Sequence, residues 1–515
     1  MGYFCYNNNL LFMGLAIFII FWLGWHIGMY GMLVKAGGEK TKAMIPIYNT
    51  WEVVKLCGIP KIWFWLQLVP ILGQFISLWI SIIFTMHFKK VNVIQHALTV
   101  FVPFIYLPYL GFSEKEKWYG EQALVHYHKP ASREWIDAGV FAIVAATLIR
   151  TFLFEAYVIP TESMEKTLLV NDFLFVDKLT YGARIPQTPI SFPFVHNTLP
   201  GAPTTPSYVK WVQLDYQRLP KFRDINRNDV VVFNFPAGDT IINLPEFGSK
   251  FPYYDVLRTP EYNNNREKLQ ADYPILVHPM DKTDNYIKRC VGLPGDIIQV
   301  KGSSLWVNNK PAYVAPSAQT EYIVKTDGRP IPESFIEDTI GININEATAD
   351  FKIMEGSPNT FVINMTAGAA ASLGKLPQVK EMSFYVDNLI GNTFPNDVVH
   401  APWSVDNFGA IRIPKKGDVI ELNDTTIEIY RRLITNYEHN NLEKINGQYA
   451  LNGKVATSYT VKLNYYWMMG DNRHRSQDSR YWGFVPETHI VGRAALIWFS
   501  YNKSIRWNRL FNLIK

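Results

Sequence analysis

A serine becomes a nucleophile only when a base lies within reach of its hydroxyl. Three stretches of this 515-residue chain hold side chains from which such a pair can be built. The first is "AYVIPTESMEKTLLVNDFLFVDK", Ala156 to Lys178, which presents Thr161-Glu162-Ser163 between Pro160 and Met164 directly after an apolar run. Taken alone, Ser163 can equally cap or turn the chain. The second, "NYIKRCVGLPGDII" from Asn285 to Ile298, sets Lys288 inside a strand-like apolar segment. Alternation puts Lys288 and Cys290 on one face, Ile287 and Arg289 on the other. Such a lysine either reaches solvent from an edge strand or is buried, which disfavours its charged form and makes it a base near neutral pH. The third, "YWMMGDNRHRSQDSRYWGFVP" from Tyr466 to Pro486, is dense in Gly, Asp, Asn, Ser and Arg between aromatics. It reads as a rigid hydrogen-bonded loop, with Asp478 and Arg480 paired and Ser476 able to orient a neighbour. The plainer alternative is a surface loop in which Asp471-Asn472 is ordinary turn chemistry. Six histidines follow the apolar run (His196, His278, His400, His439, His474 and His489), and no spacing nominates one as a base. There is no metal-ligand set, phosphate-cradling glycine loop or dinucleotide fingerprint, so neither metal nor cofactor is implied.

The elements that must position these side chains begin with apolar segments. Residues 10–34 carry no charge and have about the ~20 residues a membrane span needs. With no basic segment ahead and no small-residue cleavage site behind, this segment reads as a retained span. Further spans are expected at 62–84, with Pro70 as a tolerated kink, at 97–112, where Pro103 and Pro108 also allow a re-entrant or interfacial segment, and from Trp135 to about Phe154. Lysines and arginines concentrate in the 35–61 and 113–134 loops, which are therefore predicted to be cytoplasmic. The last span then leads outward, and everything after about Phe154 is extracytoplasmic. Charged residues make up 18% and aromatics 15%, as expected where part of a chain faces lipid, and a net charge of +5 without a basic block gives no reason to expect nucleic acid. Cys5, Cys57 and Cys290 are too scattered for a disulfide framework or a zinc site.

After Ala156 the pattern shortens to strand-length pieces: "DFLFVDKL", "DVVVFNF", "GDIIQVKG", "SLWVNNKPAYV", "GDVIELND", "TTIEIYRR" and "SYTVKLNYY". "WVNNKPAYV" and "YALNGKVATSY" predict tight hairpins. The expected fold is a set of N-terminal α-helical transmembrane spans followed by a mainly β extracytoplasmic body of folded sheets or a partly open barrel. Its parts are a membrane region 1–134, a last span 135–155, a β core 156–301 with an irregular excursion at 187–223, an inserted subdomain 302–464, and a second core piece 465–515. Within the insert, "MTAGAAASLGKLPQVKEMS" is the one plausibly helical stretch.

"IPTESM", "DVVVFNFP", "YIKRCVGLPGDII" and "GDNRHRSQDSRYWGFVP", in this order behind an outward-going span, resemble four successive conserved boxes of type I signal peptidase, the membrane-bound Ser–Lys endopeptidase of bacteria. The resemblance covers the last span, about Ala156 to Val300, and Tyr466 to roughly Lys515. The extra spans and the large insert look like the long Bacteroidetes form. The resemblance implies Ser163 as nucleophile, Lys288 as general base, Ser476 holding the lysine amine, and Asp478 and Arg480 supporting that loop. It implies an oxyanion hole of the Ser163 N–H and a hydroxyl two residues earlier; here that place holds Thr161 where the family usually has serine. A second departure is "MEKT" after Ser163, where the family often has proline before the threonine. Tyr157, Ile159, Pro160, Met164 and Ile287 would shape shallow apolar pockets for an extended substrate with a small-x-small motif. The implied partners are secretory preproteins with signal peptides, membrane lipid and, further off, the export machinery; the implied location is the cytoplasmic membrane.

Three rival readings compete with this one. A self-cleaving Ser–Lys repressor-type protease would be cytosolic with a DNA-binding head, which the spans oppose. A catalytically silent scaffold would have lost Ser163 or Lys288, and both are present. A Ser–His hydrolase would need one of the six histidines.

Overall fold

The computed structural model describes residues 2–45, 47–69, 72–125, 127–236, 240–244, 247, 251–263, 265–342 and 350–515, with side chains undescribed at 2–18, 74 and 203–204. The chain divides into two compact units: residues 1–150 with 188–214, and residues 151–187 with 215–515.

The first unit is mainly helical. The expected 10–34 span lies within a 34-residue helix, Gly2–Lys35, whose described apolar part, Ile19–Lys35, is shorter than a crossing requires. The 62–84 segment divides into helices Ile62–Leu66 and Leu72–Met86. Across 97–112, helices Val93–Phe101 and Pro103–Phe112 meet at 114°. Pro103 opens the second helix; lacking an N–H, it suits a helix start and cannot continue the helix before it. The helix Ala131–Leu153 is long and apolar enough to cross a membrane; among the described residues it is one such helix, or one of two if the bent pair counts as a span.

The second unit is a mainly β body. We label the strands of its main sheet β1 (Phe154–Val158), β2 (Asp172–Asp177), β3 (Val230–Asn234), β4 (Asn285–Gly292), β5 (Tyr465–Met469), β6 (Val485–Pro486) and β7 (Ile490–Asn502). Their order is β1-β2-β7-β3-β4-β5-β6, all antiparallel, with two short strands added to β7. The continuous apolar run of β3 follows from packing on both faces. Val230 and Val232 join a cluster with Ile159, Met164 and Leu174; Val231 and Phe233 join another with Cys290, Met468 and Trp482.

Both expected hairpins form. Asn308 and Asn309 (φ 52° and 60°) turn Ser304–Val307 into Lys310–Pro311, and Asn452 and Gly453 (φ 51° and 80°) turn Gln448–Leu451 into Lys454–Val455. Positive φ at both central residues is what a two-residue hairpin of this type requires. Of the expected helical stretch 365–383, Ala367–Leu373 is a helix capped by the Thr366 side chain, whereas its end from Val379 is overturned and lies in the strand Val379–Phe384. One strand expectation is overturned: "TTIEIYRR" lies in a helix, Asp424–Arg432. Asn423 and Thr426 cap each other's backbone in a capping box there, and Ile427 is the buried residue. The alternation of the segment was outweighed by its start signal. A four-stranded sheet of Gln319–Thr326, Phe351–Met354, Ser357–Thr366 and Val379–Phe384 belongs to the same compact unit as β1 to β7.

Candidate active site

Strand β1 lies at the sheet's edge and, among the described residues, pairs with β2. Its ladder continues past Val158 through Ile159 N–H to Asp172 C=O (2.9 Å) and Asn171 N–H to Ile159 C=O (2.9 Å). Pro160 has no N–H with which to extend that ladder, Thr161 is extended (φ −132°, ψ 159°), and Glu162–Met164 form a single 3₁₀ turn. Met164 is fully buried and Ile159 nearly so, which pins the turn from beneath; Tyr157 and Ile287 pack against the same cluster while staying half-buried. Pro160 and Thr161 are exposed.

Lys288 sits on an interior strand, opposite Val231 of β3 and one residue before the Arg289–Met469 pair with β5. With neighbours on both sides its amine has no path to solvent, and it is 2% exposed. Nζ lies 2.7 Å from Ser163 Oγ across 125 residues of sequence and donates to the Ile287 carbonyl at 3.0 Å. Burial pulls its pKa down to about 8, while the Asp478 and Asp471 carboxylates act in the opposite direction. Thr161 Oγ1 is 3.4 Å from Ser163 Oγ. Among the described residues no histidine hydrogen-bonds to either Ser163 or Lys288; His474, on the neighbouring loop, is engaged with Asp406 at 2.8 Å and with the Glu321 N–H.

The loop after β5 closes over the turn. Asp478 caps the helix Ser479–Trp482, accepts from Gly470 N–H at 3.1 Å, and binds Arg480 through two bonds of 2.9 Å, with both side chains buried. Ser476 is buried beside Gly470 with its hydroxyl turned toward the Asp478 carboxylate, whose pKa it helps to lower, and the Lys288 amine bonds to Ser163 and Ile287. Three further residues hold the site that sequence reasoning passed over. Arg289, assigned only to a strand face, forms a buried pair with Asp471. Asn472, assigned only to a turn, donates its backbone N–H to the Ser163 carbonyl (3.1 Å) and its Nδ2 to the Glu162 carbonyl (3.1 Å). The available signal was a guanidinium in an apolar run, which demands a buried carboxylate partner.

A neutral lysine amine 2.7 Å from a serine hydroxyl can take its proton, so fold and site together define a serine hydrolase that uses lysine where others use histidine. The sequence matches the family described as "Signal peptidase, peptidase S26" over residues 132–364 and 412–499, more than half of the chain, and the chain belongs to that family. It is 26% identical to the signal peptidase I of Buchnera aphidicola subsp. Acyrthosiphon pisum (strain APS) over 379 residues, covering 71% of this chain and 77% of that protein. It is also 26% identical to the signal peptidase I of Haemophilus influenzae over 388 residues, covering 73% and 75%. A short match to the signal peptidase I of Aquifex aeolicus reaches 55% over 45 residues, 9% of this chain and 18% of that protein. The activity of the chain is that of a type I signal peptidase, a serine endopeptidase of the Ser–Lys kind whose substrates are preproteins bearing signal peptides. Residues 41–121 match a second family, of unknown function (DUF5684).

Proposed function

We propose that Ser163 is the nucleophile and Lys288 the general base of this signal peptidase, acting on the extracytoplasmic side of a membrane that the chain crosses more than once. The observation that carries the assignment is the 2.7 Å contact between Ser163 Oγ and a buried Lys288 Nζ. The neutral amine accepts the hydroxyl proton as Oγ attacks the scissile carbonyl, then returns it to the leaving amine. The Ser163 N–H and the Thr161 hydroxyl donate to the developing oxyanion. Asp478 and Arg480 hold the loop that carries Ser476, to which this reading assigns the orienting of the lysine amine.

An extended preprotein segment adds to β1 at the edge of the sheet, its backbone hydrogen-bonding along the strand. Tyr157 and Ile287 present half-buried surface there, and shallow apolar pockets suit small side chains before the cut. Ser163 follows Leu153, the end of the crossing helix, by ten residues. At up to ~3.5 Å per residue, this limits the serine to about 35 Å from that helix end. The helix thus tethers the site near a substrate still held in the bilayer by its signal segment. The basic 35–61 and 113–134 loops support the cytoplasmic placement of the other side.

The test is cleavage of a secretory preprotein by the detergent-solubilised full chain, beside Ser163→Ala and Lys288→Met. Cutting after a small-x-small motif, with both variants folded and inert, is the expected result. A Lys288→Met chain that still cuts would move the base elsewhere. An unaltered chain that never cuts would leave a binding scaffold.

A further inference from the structure

Among the described residues of 302–464 none bonds to Ser163 Oγ or the Lys288 amine, yet several reach the loop that grips the Ser163 turn, and one of them, Asn364, meets Asn472. Asn364, on the strand Ser357–Thr366, is 1% exposed. Its Nδ2 donates to Asp350 Oδ1 at 3.1 Å and to Asn472 Oδ1 at 3.0 Å, while its own Oδ1 has no partner among the described residues. A carboxylate only accepts, so Asp350 fixes which end of the Asn364 amide faces it. The second hydrogen on that nitrogen then fixes the Asn472 amide, oxygen toward Asn364 and nitrogen toward the Glu162 carbonyl.

That carbonyl belongs to the same peptide unit as the Ser163 N–H. The unit is trans and planar, so its C=O and N–H point opposite ways. Glu162 O is held from two sides, by Asn472 Nδ2 at 3.1 Å and by Glu165 N–H at 2.9 Å. Holding the oxygen aims the N–H. A donor already aimed costs no reorganisation when charge develops on the substrate oxygen.

We propose that Asn364 is a positioning residue for the peptidase reaction: through Asn472 it locks the 162–163 peptide plane and directs the Ser163 N–H at the scissile carbonyl oxygen. This role rests on the reading of Ser163 as nucleophile and half of the oxyanion hole. It gives a residue at the end of the first family-matched segment, 132–364, a part in catalysis without any contact with substrate.

The experiment is steady-state preprotein cleavage by the full chain in detergent, comparing Asn364→Ala, Asn472→Ala, their double variant, Asn364→Asp and Ser163→Ala, each with its thermal unfolding midpoint. Asn364→Ala and Asn472→Ala are each expected to lower kcat roughly 10- to 100-fold, with KM nearly unchanged. The double variant is expected to be no slower than the slower single, because both act on one peptide plane. The acid limb of the pH profile stays in place, since Lys288 is untouched. Asn364→Asp keeps the shape but offers only acceptors, so it fails likewise. Combining it with Asp350→Asn restores a hydrogen bond between the two and thus the unfolding midpoint, but supplies no donor to Asn472. Its kcat is expected to stay low, and this pair decides the matter if Asn364→Ala does not fold. Unaltered kcat in Asn364→Ala, multiplying losses in the double variant, or recovery of kcat in the swap would each overturn the role. Cleavage by Ser163→Ala would instead remove the reading beneath it.

Discussion

The Arg289 guanidinium and the Asp471 carboxylate meet in a two-pronged pair, Nε to Oδ1 at 2.8 Å and a terminal nitrogen to Oδ2 at 2.6 Å, with side chains 3% and 0% exposed. The pair joins the strand of Lys288 to the loop beneath Ser163. Asp471 also accepts from Thr167 Oγ1 at 2.6 Å, four residues past Ser163. Removing one partner leaves the other charge buried and uncompensated, which costs about 3–5 kcal/mol. Asp471→Ala is therefore expected to lower the unfolding midpoint sharply and to depress cleavage. Arg289→Met combined with Asp471→Leu is expected to be more stable than either single change. Thermal unfolding followed by near-UV circular dichroism decides it, and a stable Asp471→Ala would deny the pair its role.

Gly470 meets a different constraint, of space and not of backbone conformation. A Cβ there would lie 2.2 Å from Ser476 Oγ and 2.5 Å from the Ser163 carbonyl oxygen. Ser476 can rotate away, but the Ser163 backbone cannot move without carrying the Ser163 hydroxyl along. Gly470→Ala is expected to cut kcat on the order of 100-fold, since a displacement of about 1 Å suffices for that. Cleavage at the unaltered rate would mean that the turn yields elsewhere.

Thr161 is exposed, its side chain makes no helix-cap bond, and its Oγ1 lies 3.4 Å from Ser163 Oγ. A β-branched side chain has fewer rotamers than serine but carries the same donor. Thr161→Ser is expected to keep activity. Thr161→Val, of equal shape without the hydroxyl, is expected to lose roughly 10²- to 10³-fold in kcat with KM nearly unchanged. A fully active Thr161→Val would place the second oxyanion donor on another residue.

What could be read in the sequence was local. Asn-Asn at 308–309 and Asn-Gly at 452–453 announce their hairpins because those residues accept positive φ at little cost. Lys288 announced a choice between solvent and burial, and only the neighbouring strands resolve it: β3 and β5 flank it. The partners that complete the site lie far along the chain. Arg289 finds Asp471 across 182 residues and Asn364 finds Asn472 across 108; nothing in either local pattern marks the match. Short apolar runs misled where a start signal outweighed alternation, as in the helix begun by Asn423. At 97–112 hydropathy marks only an apolar run, and it is Pro103, already read as allowing a re-entrant segment, that stands at the bend.

Burial holds Lys288 at about 8 in the folded chain, against 10.5 unperturbed. Below pH 8 both folded and unfolded chains carry the proton, and the folded one bears the cost of a buried charge. Above 10.5 neither carries it, so the cost vanishes; stability owed to this group rises between those limits. At about 1.4 kcal/mol per pKa unit, Lys288→Met is expected to stabilise the fold by ~3 kcal/mol at pH 7. The gain should fade toward pH 10.5, as denaturation at the two pH values will show. With Lys288 as the proposed base the reaction needs its neutral amine, so kcat/KM is expected to climb with pH through about 8. The Asp478 charge raises the lysine pKa. Asp478→Asn is accordingly expected to move that limb to lower pH, even as it weakens the bond to Arg480. A limb that stays in place, or moves upward, would mean that a group other than Lys288 governs the reaction.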